Sequence, residues 1–298
     1  MPSTTPPRFL MYLAEVIAAR ALGPRFIRIT FGGAGLRDFV CSGIAPKIKV
    51  WLPHTELTRP VTAALDEIRA NSVMRTYTVR EHRPECSEVD IDFVIHADGP
   101  AGRWAATATP GQLLLLSNAA GSAAASAERM LFIGDPSSLP AIMTALRALP
   151  RQATVRVLLR VDDAHERCEL EDPASGLTEW ITTGTDPAAL TAAVRTEVSR
   201  FAPHYVWAAG EAGTLKSLRR YLRGEAGFTA ASSQIVGYWR RDTPADIYDS
   251  EIIARAQTLA QSGRTLSRQE IDELSLGEPD PASAADPTPL STTTQSHP

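Results

Sequence analysis

Val73-Met74-Arg75-Thr76-Tyr77-Thr78-Val79-Arg80 places Val73, Arg75, Tyr77 and Val79 at every second position. That is the period of a β-strand, so Arg75 and Tyr77 share one face and Thr76 and Thr78 the other. A guanidinium forks onto a pair of pyrophosphate oxygens, an aromatic ring lies against an isoalloxazine, and a Thr hydroxyl or backbone amide reaches a flavin ring nitrogen. The stretch therefore suits a flavin-binding strand; the same alternation also suits an exposed strand with no ligand.

Outward from it, segments 12–18, 26–31, 48–52, 74–79, 89–95 and 112–116 alternate or are β-branched and aromatic, punctuated by Gly23-Pro24, Gly32-Gly33 and Pro53. About six short strands is the count of a small closed antiparallel barrel. Residues 61–71 read as a short helix or loop between strands. Asn118 to Ala127 is small and uncharged, a linker by composition. Beyond it the rhythm becomes strand–helix–strand: strands at 130–133, 154–161, 179–183, 204–208 and 234–239, helices at 140–149, 187–199 and 214–223. That alternation predicts a parallel sheet with ligands at the carboxyl ends of its strands. Helices are expected at 245–262 and 267–274, the second opening on a capping-box pattern, Ser267 to Glu270, and the Pro-, Ser- and Thr-rich tail from 277 is expected to be disordered.

Downstream of the Arg75 strand five blocks follow in order: Ile91 to Ala105, with His96 and Gly99-Pro100-Ala101-Gly102-Arg103-Trp104-Ala105; Pro110-Gly111; Gly134-Asp135-Pro136-Ser137-Ser138-Leu139-Pro140-Ala141-Ile142; Trp207-Ala208-Ala209-Gly210-Glu211-Ala212; and Gly237-Tyr238-Trp239-Arg240-Arg241. In this order and spacing, over roughly residues 13 to 242, the chain resembles the siderophore-interacting proteins, FAD-dependent ferric-siderophore reductases on the ferredoxin-reductase plan. The resemblance implies an N-terminal six-stranded FAD-binding barrel at 8–118, a linker at 119–127, a Rossmann-like NAD(P)H-binding α/β domain at 128–242, and a helical extension at 243–276 before a tail at 277–298. It implies FAD contacts from Arg75, Thr76, Tyr77, Thr78, His96 and the Gly99 to Ala105 block. Nicotinamide contacts would come from Gly134, Asp135, Ser137 and Ser138, with Gly210, Glu211, Tyr238 and Trp239 at the carboxyl ends of strands facing the flavin.

Read from the residues alone, Gly99-Pro100-Ala101-Gly102 offers backbone amides at a helix start for a phosphate, or an ordinary turn. Tyr238 and Trp239 equally suit a strand packing into a core, and His96 a structural histidine. No G-x-G-x-x-G is present. The family's pattern departs at four places: Gly102 stands where Ser is usual, Pro136-Ser137-Ser138 replaces Glu-Thr-Ala, Gly111-Gln112 replaces Gly-Asp, and Asn118-Ala119-Ala120-Gly121 lacks the arginine of Gly-Pro-Arg-Gly. Ser137 can keep the hydroxyl role of the family's Thr. Arg160 can pair a 2′-phosphate, whereas Asp162 and Asp163 would repel it or bind a ribose hydroxyl; the family's habit favours NADPH over NADH.

The 298 residues are 44% hydrophobic and 21% charged, which suits two ordinary domains. A net charge of −4 with scattered basic residues argues against nucleic acid as a partner. Three cysteines without C-x-x-C spacing signal neither a disulfide framework nor a metal site. No signal sequence or apolar run of about 20 residues is read, so the expectation is a cytoplasmic protein with no membrane partner. Lys47, Lys49, Arg240 and Arg241 are candidate cations for steering an anionic ferric chelate. The alternatives are an organic metabolite as acceptor, or a flavin- or chelate-binding protein without turnover.

Overall fold

The structure, a computed structural model, describes residues 10–57, 59–95, 99–122, 127–150, 152–167, 178–184, 186–266 and 268–277. Strands β1 (Met11–Ala21), β2 (Phe26–Gly32), β3 (Cys41–Ser42), β4 (Ile44–Pro53), β5 (Ser72–Arg83), β6 (Glu88–Val94), β7 (Leu113–Ser117) and β8 (Ala119–Ser122) form one sheet. The antiparallel order β4-β5-β6-β2-β1-β7 closes on itself through a β4–β7 pairing, giving the expected six-stranded barrel. Its interior is filled by every second residue: Val16, Ile29, Phe31, Val50, Ile91, Phe93, Leu114 and Leu116 are fully buried. Each such side chain contributes about 1.5–3 kcal/mol relative to exposure. Helix α1 (Leu65–Ala70) occupies part of the 61–71 stretch, and α2 (Pro100–Thr107) follows β6.

The expected linker is not one at its start: residues 119–122 are β8, paired with β3 and β4. Its small residues serve close backbone approach, since a Cβ at Gly121 would sit 2.1 Å from the Ile44 carbonyl oxygen. Residues 123–126 lie outside the described residues.

The second sheet is parallel, in the order β11 (Thr178–Thr182), β10 (Thr154–Val161), β9 (Arg129–Gly134), β12 (Tyr205–Glu211), β13 (Ser233–Trp239). Helices α3 (Leu139–Ala148), α4 (Pro187–Phe201) and α5 (Ala212–Gly224) make the crossovers. The chain moves outward from β9 to β11 and then restarts at β12, so the strand order reverses between β9 and β12, the place where open α/β sheets bind ligands. Phe26 of the barrel shares a core with Phe132, Ile142, Leu146 and Trp207, joining barrel and sheet through an apolar interface. Helices α6 (Ala245–Gln261) and α7 (Arg268–Leu274) follow as expected, whereas Ser267, the expected cap, lies outside the described residues. No described helix is long and apolar enough to cross a membrane.

Candidate functional site

On β5, Arg75 is 16% exposed, donates from Nη1 to the Met74 carbonyl at 2.7 Å and pairs with Asp246 of α6 at 2.7 Å. Thr76 is exposed and accepts from Lys49 Nζ at 2.6 Å, while Thr78 is buried. The Tyr77 ring lies 4.3 Å from that of Phe93, and burial raises its phenol above the ordinary value, so it is neutral at pH 7. Phe93 in turn meets Trp104 of α2, which stacks on Phe31 at an interplanar angle of 7°. Trp104 and the buried Ala101 and Ala105 thus pin α2 to the barrel core.

Helix α2 opens on an extended Gly99 with Pro100 in its first turn and no side-chain cap. Among the described residues no hydroxyl or carboxylate caps its leading amides, and Ala101 and Gly102 set nothing larger than a methyl beside them. A phosphate fits such a terminus. With Arg75 on the strand that the Tyr77–Phe93–Trp104 row ties to this helix, the residues present fit a flavin dinucleotide. His96 lies outside the described residues.

At the strand-order reversal, Asp135 caps the 3-10 turn of Pro136, Ser137 and Ser138. Its Oδ1 accepts from the Ser137 amide at 2.9 Å and hydroxyl at 2.5 Å; its Oδ2 accepts from the Glu211 amide and from Trp239 Nε1, both at 2.9 Å. One carboxylate therefore holds the carboxyl ends of β9, β12 and β13 together. Burial raises the Asp135 carboxyl above its ordinary value against these four hydrogen bonds. Glycine is required opposite it: Gly210 has φ +151°, and a Cβ there would lie 2.5 Å from Asp135 Oδ2. Glu211 caps α5, accepting from the Gly213 and Thr214 amides at 3.0 and 2.6 Å. Burial pushes Glu211 up, but the Thr214 and Gly213 hydrogen bonds outweigh it and hold its carboxyl below the ordinary range.

Several of the expected residues already have partners within the chain. Ser137, expected at the nicotinamide, gives its hydroxyl to Asp135; Ser138 is fully buried and gives its own to the Asp135 carbonyl at 2.9 Å. Trp239, at the end of β13, donates its Nε1 to Asp135. Arg160, expected at a 2′-phosphate, is spent on Asp162, Thr183 Oγ1 and the Gly184 carbonyl. A shallow cleft lined by Gly134, Asp135, Arg160, Gly210 and Glu211 lies at the reversal, the place where open α/β sheets bind ligands.

The expected steering cations all have partners within the chain. Lys47 pairs with Asp272 of α7 at 2.8 Å, Arg240 with Glu251 of α6 at 2.7 Å, and Arg241 with Asp162 at 3.2 Å. Burial lowers the Lys49 ammonium below its ordinary value; Asp249 opposes that shift and Lys47 adds to it. Lys47 also stands 5.6 Å from the Tyr238 ring, which brings the end of β13 against β4. These carboxylates escaped the sequence reading. Gly237 inside a strand was the available signal, since an interior glycine marks close approach: a Cβ there would lie 2.3 Å from the Tyr248 hydroxyl of α6.

A family model described as siderophore-interacting protein matches residues 127–242, and one described as siderophore-interacting FAD-binding domain matches residues 15–123. An uncharacterized protein of Mycobacterium tuberculosis is 33% identical over 264 residues, covering 80% of this chain and 93% of that one. The ferric vibriobactin reductase ViuB of Vibrio cholerae is 29% identical over 251 residues, again 80% of this chain and 93% of the other. A siderophore utilization protein from T. fusca superposes with a TM-score of 0.67 at 30% identity, covering 79% of this chain and 95% of that chain. A ferredoxin NADP+ reductase from Neisseria gonorrhoeae, TM-score 0.55 and 11% identity over 77% of this chain and 99% of its own, shares the fold.

Proposed function

We propose that this chain, which belongs to the siderophore-interacting protein family, is an FAD-dependent NAD(P)H oxidoreductase that reduces a ferric siderophore and releases Fe(II). Bound FAD would supply two-electron acceptance and one-electron donation, so that one NAD(P)H and two Fe(III) give NAD(P)+, one proton and two Fe(II). The observation that supports this most is the meeting of the two halves: Lys47 of the barrel stands 5.6 Å from the ring of Tyr238, at the end of the parallel sheet, and Asp272 joins Lys47 to Gln234 of β13.

The chain's own residues divide the work. Arg75 and the uncapped start of α2 hold the pyrophosphate, Arg75 exchanging Asp246 for it. Tyr77, neutral and packed on Phe93, offers a ring edge and a hydroxyl rather than a charge. Asp135 fixes Trp239 and the Glu211 amide, so the floor of the nicotinamide cleft keeps one geometry.

The test is to purify the protein, record its visible spectrum, add NADPH or NADH without oxygen, and then add ferric siderophores with a chromogenic Fe(II) trap. The expected result is a flavin spectrum that bleaches with a nicotinamide and recovers with stoichiometric Fe(II). Bleaching without Fe(II) from any chelate would transfer the assignment to an organic acceptor; no bleaching would end the reductase reading.

A further inference from the structure

We infer that the acceptor site selects ferric chelates of neutral or positive charge over anionic ones, because carboxylates of α6 and α7 are built into it as counter-charges. The inference rests on the reading above, in which a ferric chelate docks where barrel and parallel sheet meet. Three cations of that region, Lys47, Lys49 and Arg240, are the ones an anionic chelate would use, and Arg75 is the one the pyrophosphate would. Each has a carboxylate from the C-terminal helices: Asp272 on Lys47 at 2.8 Å, Asp246 on Arg75 at 2.7 Å, Glu251 on Arg240 at 2.7 Å, and Asp249 acting through space on Lys49. Before any cofactor is present these four cations face four carboxylates, with Arg255 a further cation on Glu251 at 3.7 Å. A bound pyrophosphate brings further negative charge and frees Asp246 from Arg75, so the loaded site is acidic.

Two of the pairs also present their negative member outward. Asp246 is 69% exposed over an Arg75 at 16%, and Glu251 is 38% exposed over an Arg240 at 29%. At these two pairs an approaching ligand meets the carboxylate first, whereas in the third the Lys47 side chain, at 30%, is more exposed than that of Asp272, at 9%. Nor are these helices a loose flap. Tyr248 is 2% exposed, lies under the Arg240 guanidinium at 5.0 Å and donates its hydroxyl to the Ser275 carbonyl at 2.8 Å. The Gly237 amide donates to Ser275 Oγ at 2.6 Å, and Leu276 is buried in the core of the parallel sheet. Asp272, 8% exposed, bridges the two halves by accepting from Lys47 at 2.8 Å and from Gln234 of β13 at 3.0 Å. An anionic chelate would have to displace carboxylates that the fold holds in place, whereas a cationic one finds them ready.

The probe is one trihydroxamate ligand with a pendant amine left as the ammonium, acetylated, or succinylated, so that overall charge changes and the iron centre does not. Redox-inert gallium(III) complexes report binding by tryptophan quenching; the ferric complexes report Fe(II) release from the pre-reduced holoprotein. Expected is an order of ammonium, acetyl, succinyl, with about tenfold or more between the extremes at low salt, narrowing as salt screens the field. Asp249→Asn combined with Glu251→Gln should flatten or invert that order in both assays, with flavin content and far-UV spectrum recorded to separate a folding defect. Equal or tighter binding of the succinyl complex by the wild type overturns the inference while leaving the reductase reading intact. If no gallium complex binds and no Fe(II) appears, the docking premise fails and the inference falls with it.

Discussion

Two groups of ion pairs on the barrel look alike in sequence and differ in kind. Across β2, β5 and β6, Arg28 forks onto Asp92 at 2.6 and 2.9 Å, Arg83 onto Asp90 at 2.8 Å twice, and Arg80 stands 3.7 Å from Asp92. Asp90, Asp92 and Arg80 are buried, and Thr30 adds a hydroxyl to Asp90 at 2.8 Å. The pairs made by α6 are single and partly solvated. Desolvated, bidentate pairs hold a structure because losing one partner strands the other; solvated ones set a local charge and yield to a ligand.

The largest effect should come from breaking the first group. Asp92→Ala leaves Arg28 and Arg80 without their carboxylate in a desolvated setting and should cost about 3–5 kcal/mol in urea unfolding. A loss below about 1 kcal/mol would place the network with the solvated pairs. Next comes Arg75→Ala, which should weaken FAD binding by about 1.5–3 kcal/mol in a flavin-fluorescence titration, the scale of a hydrogen bond to a charged group. Unchanged affinity would remove Arg75 from the flavin site.

Gly237→Ala drives a methyl into the Tyr248 hydroxyl and toward Ser275, at 2.3 and 3.0 Å. Overpacking of this kind costs about 1–3 kcal/mol, and the strain falls on α6 and α7. Amide exchange should quicken across 245–276 and leave β1 to β7 unchanged; uniform quickening would show that the extension and the barrel open as one unit.

The pH dependence separates two buried aspartates by sign. Burial pushes Asp90 up, but Arg83 and Thr30 hydrogen bonds with the Arg83 and Arg28 charges outweigh it, so its folded carboxyl lies below the ordinary value. Its stabilisation is present above the unfolded value of about pH 4 and is lost as pH falls through the folded one. Asp135 is the reverse: burial raises it, the folded state holds its proton longer, and its contribution falls as pH rises above about pH 4. Relative to wild type, Asp90→Asn should lose more stability at pH 6 than at pH 3, and Asp135→Asn less. Parallel shifts of both variants would contradict the assigned directions.

The comparison also explains what was legible. All six barrel strands and five parallel strands were read from alternation and β-branched runs, because a half-buried strand writes its period locally. β8 was missed because its small residues, Ala119-Ala120-Gly121, carry a linker's composition while serving the approach to Ile44. Asp135 was placed correctly at the turn after β9, yet its partner Trp239 lies 104 residues on, and Asp272 lies 225 residues from Lys47. Long-range ion pairs leave no local pattern, so the cations were visible and their neutralisation was not.

The smallest effect tests the solvated group directly. Asp246 holds Arg75 but is 69% exposed, so the pair is worth only a few tenths to about 1 kcal/mol, most of it recovered by water. If Arg75 must leave Asp246 to take the pyrophosphate, Asp246→Asn should tighten FAD binding by a few-fold, about 5-fold at most, and reduce its dependence on salt. The double variant with Arg75→Ala decides the cause. Coupling requires that Asp246→Asn change nothing once the guanidinium is gone, whereas a gain that persists without Arg75 would come from the general field of α6 rather than from competition for one cation.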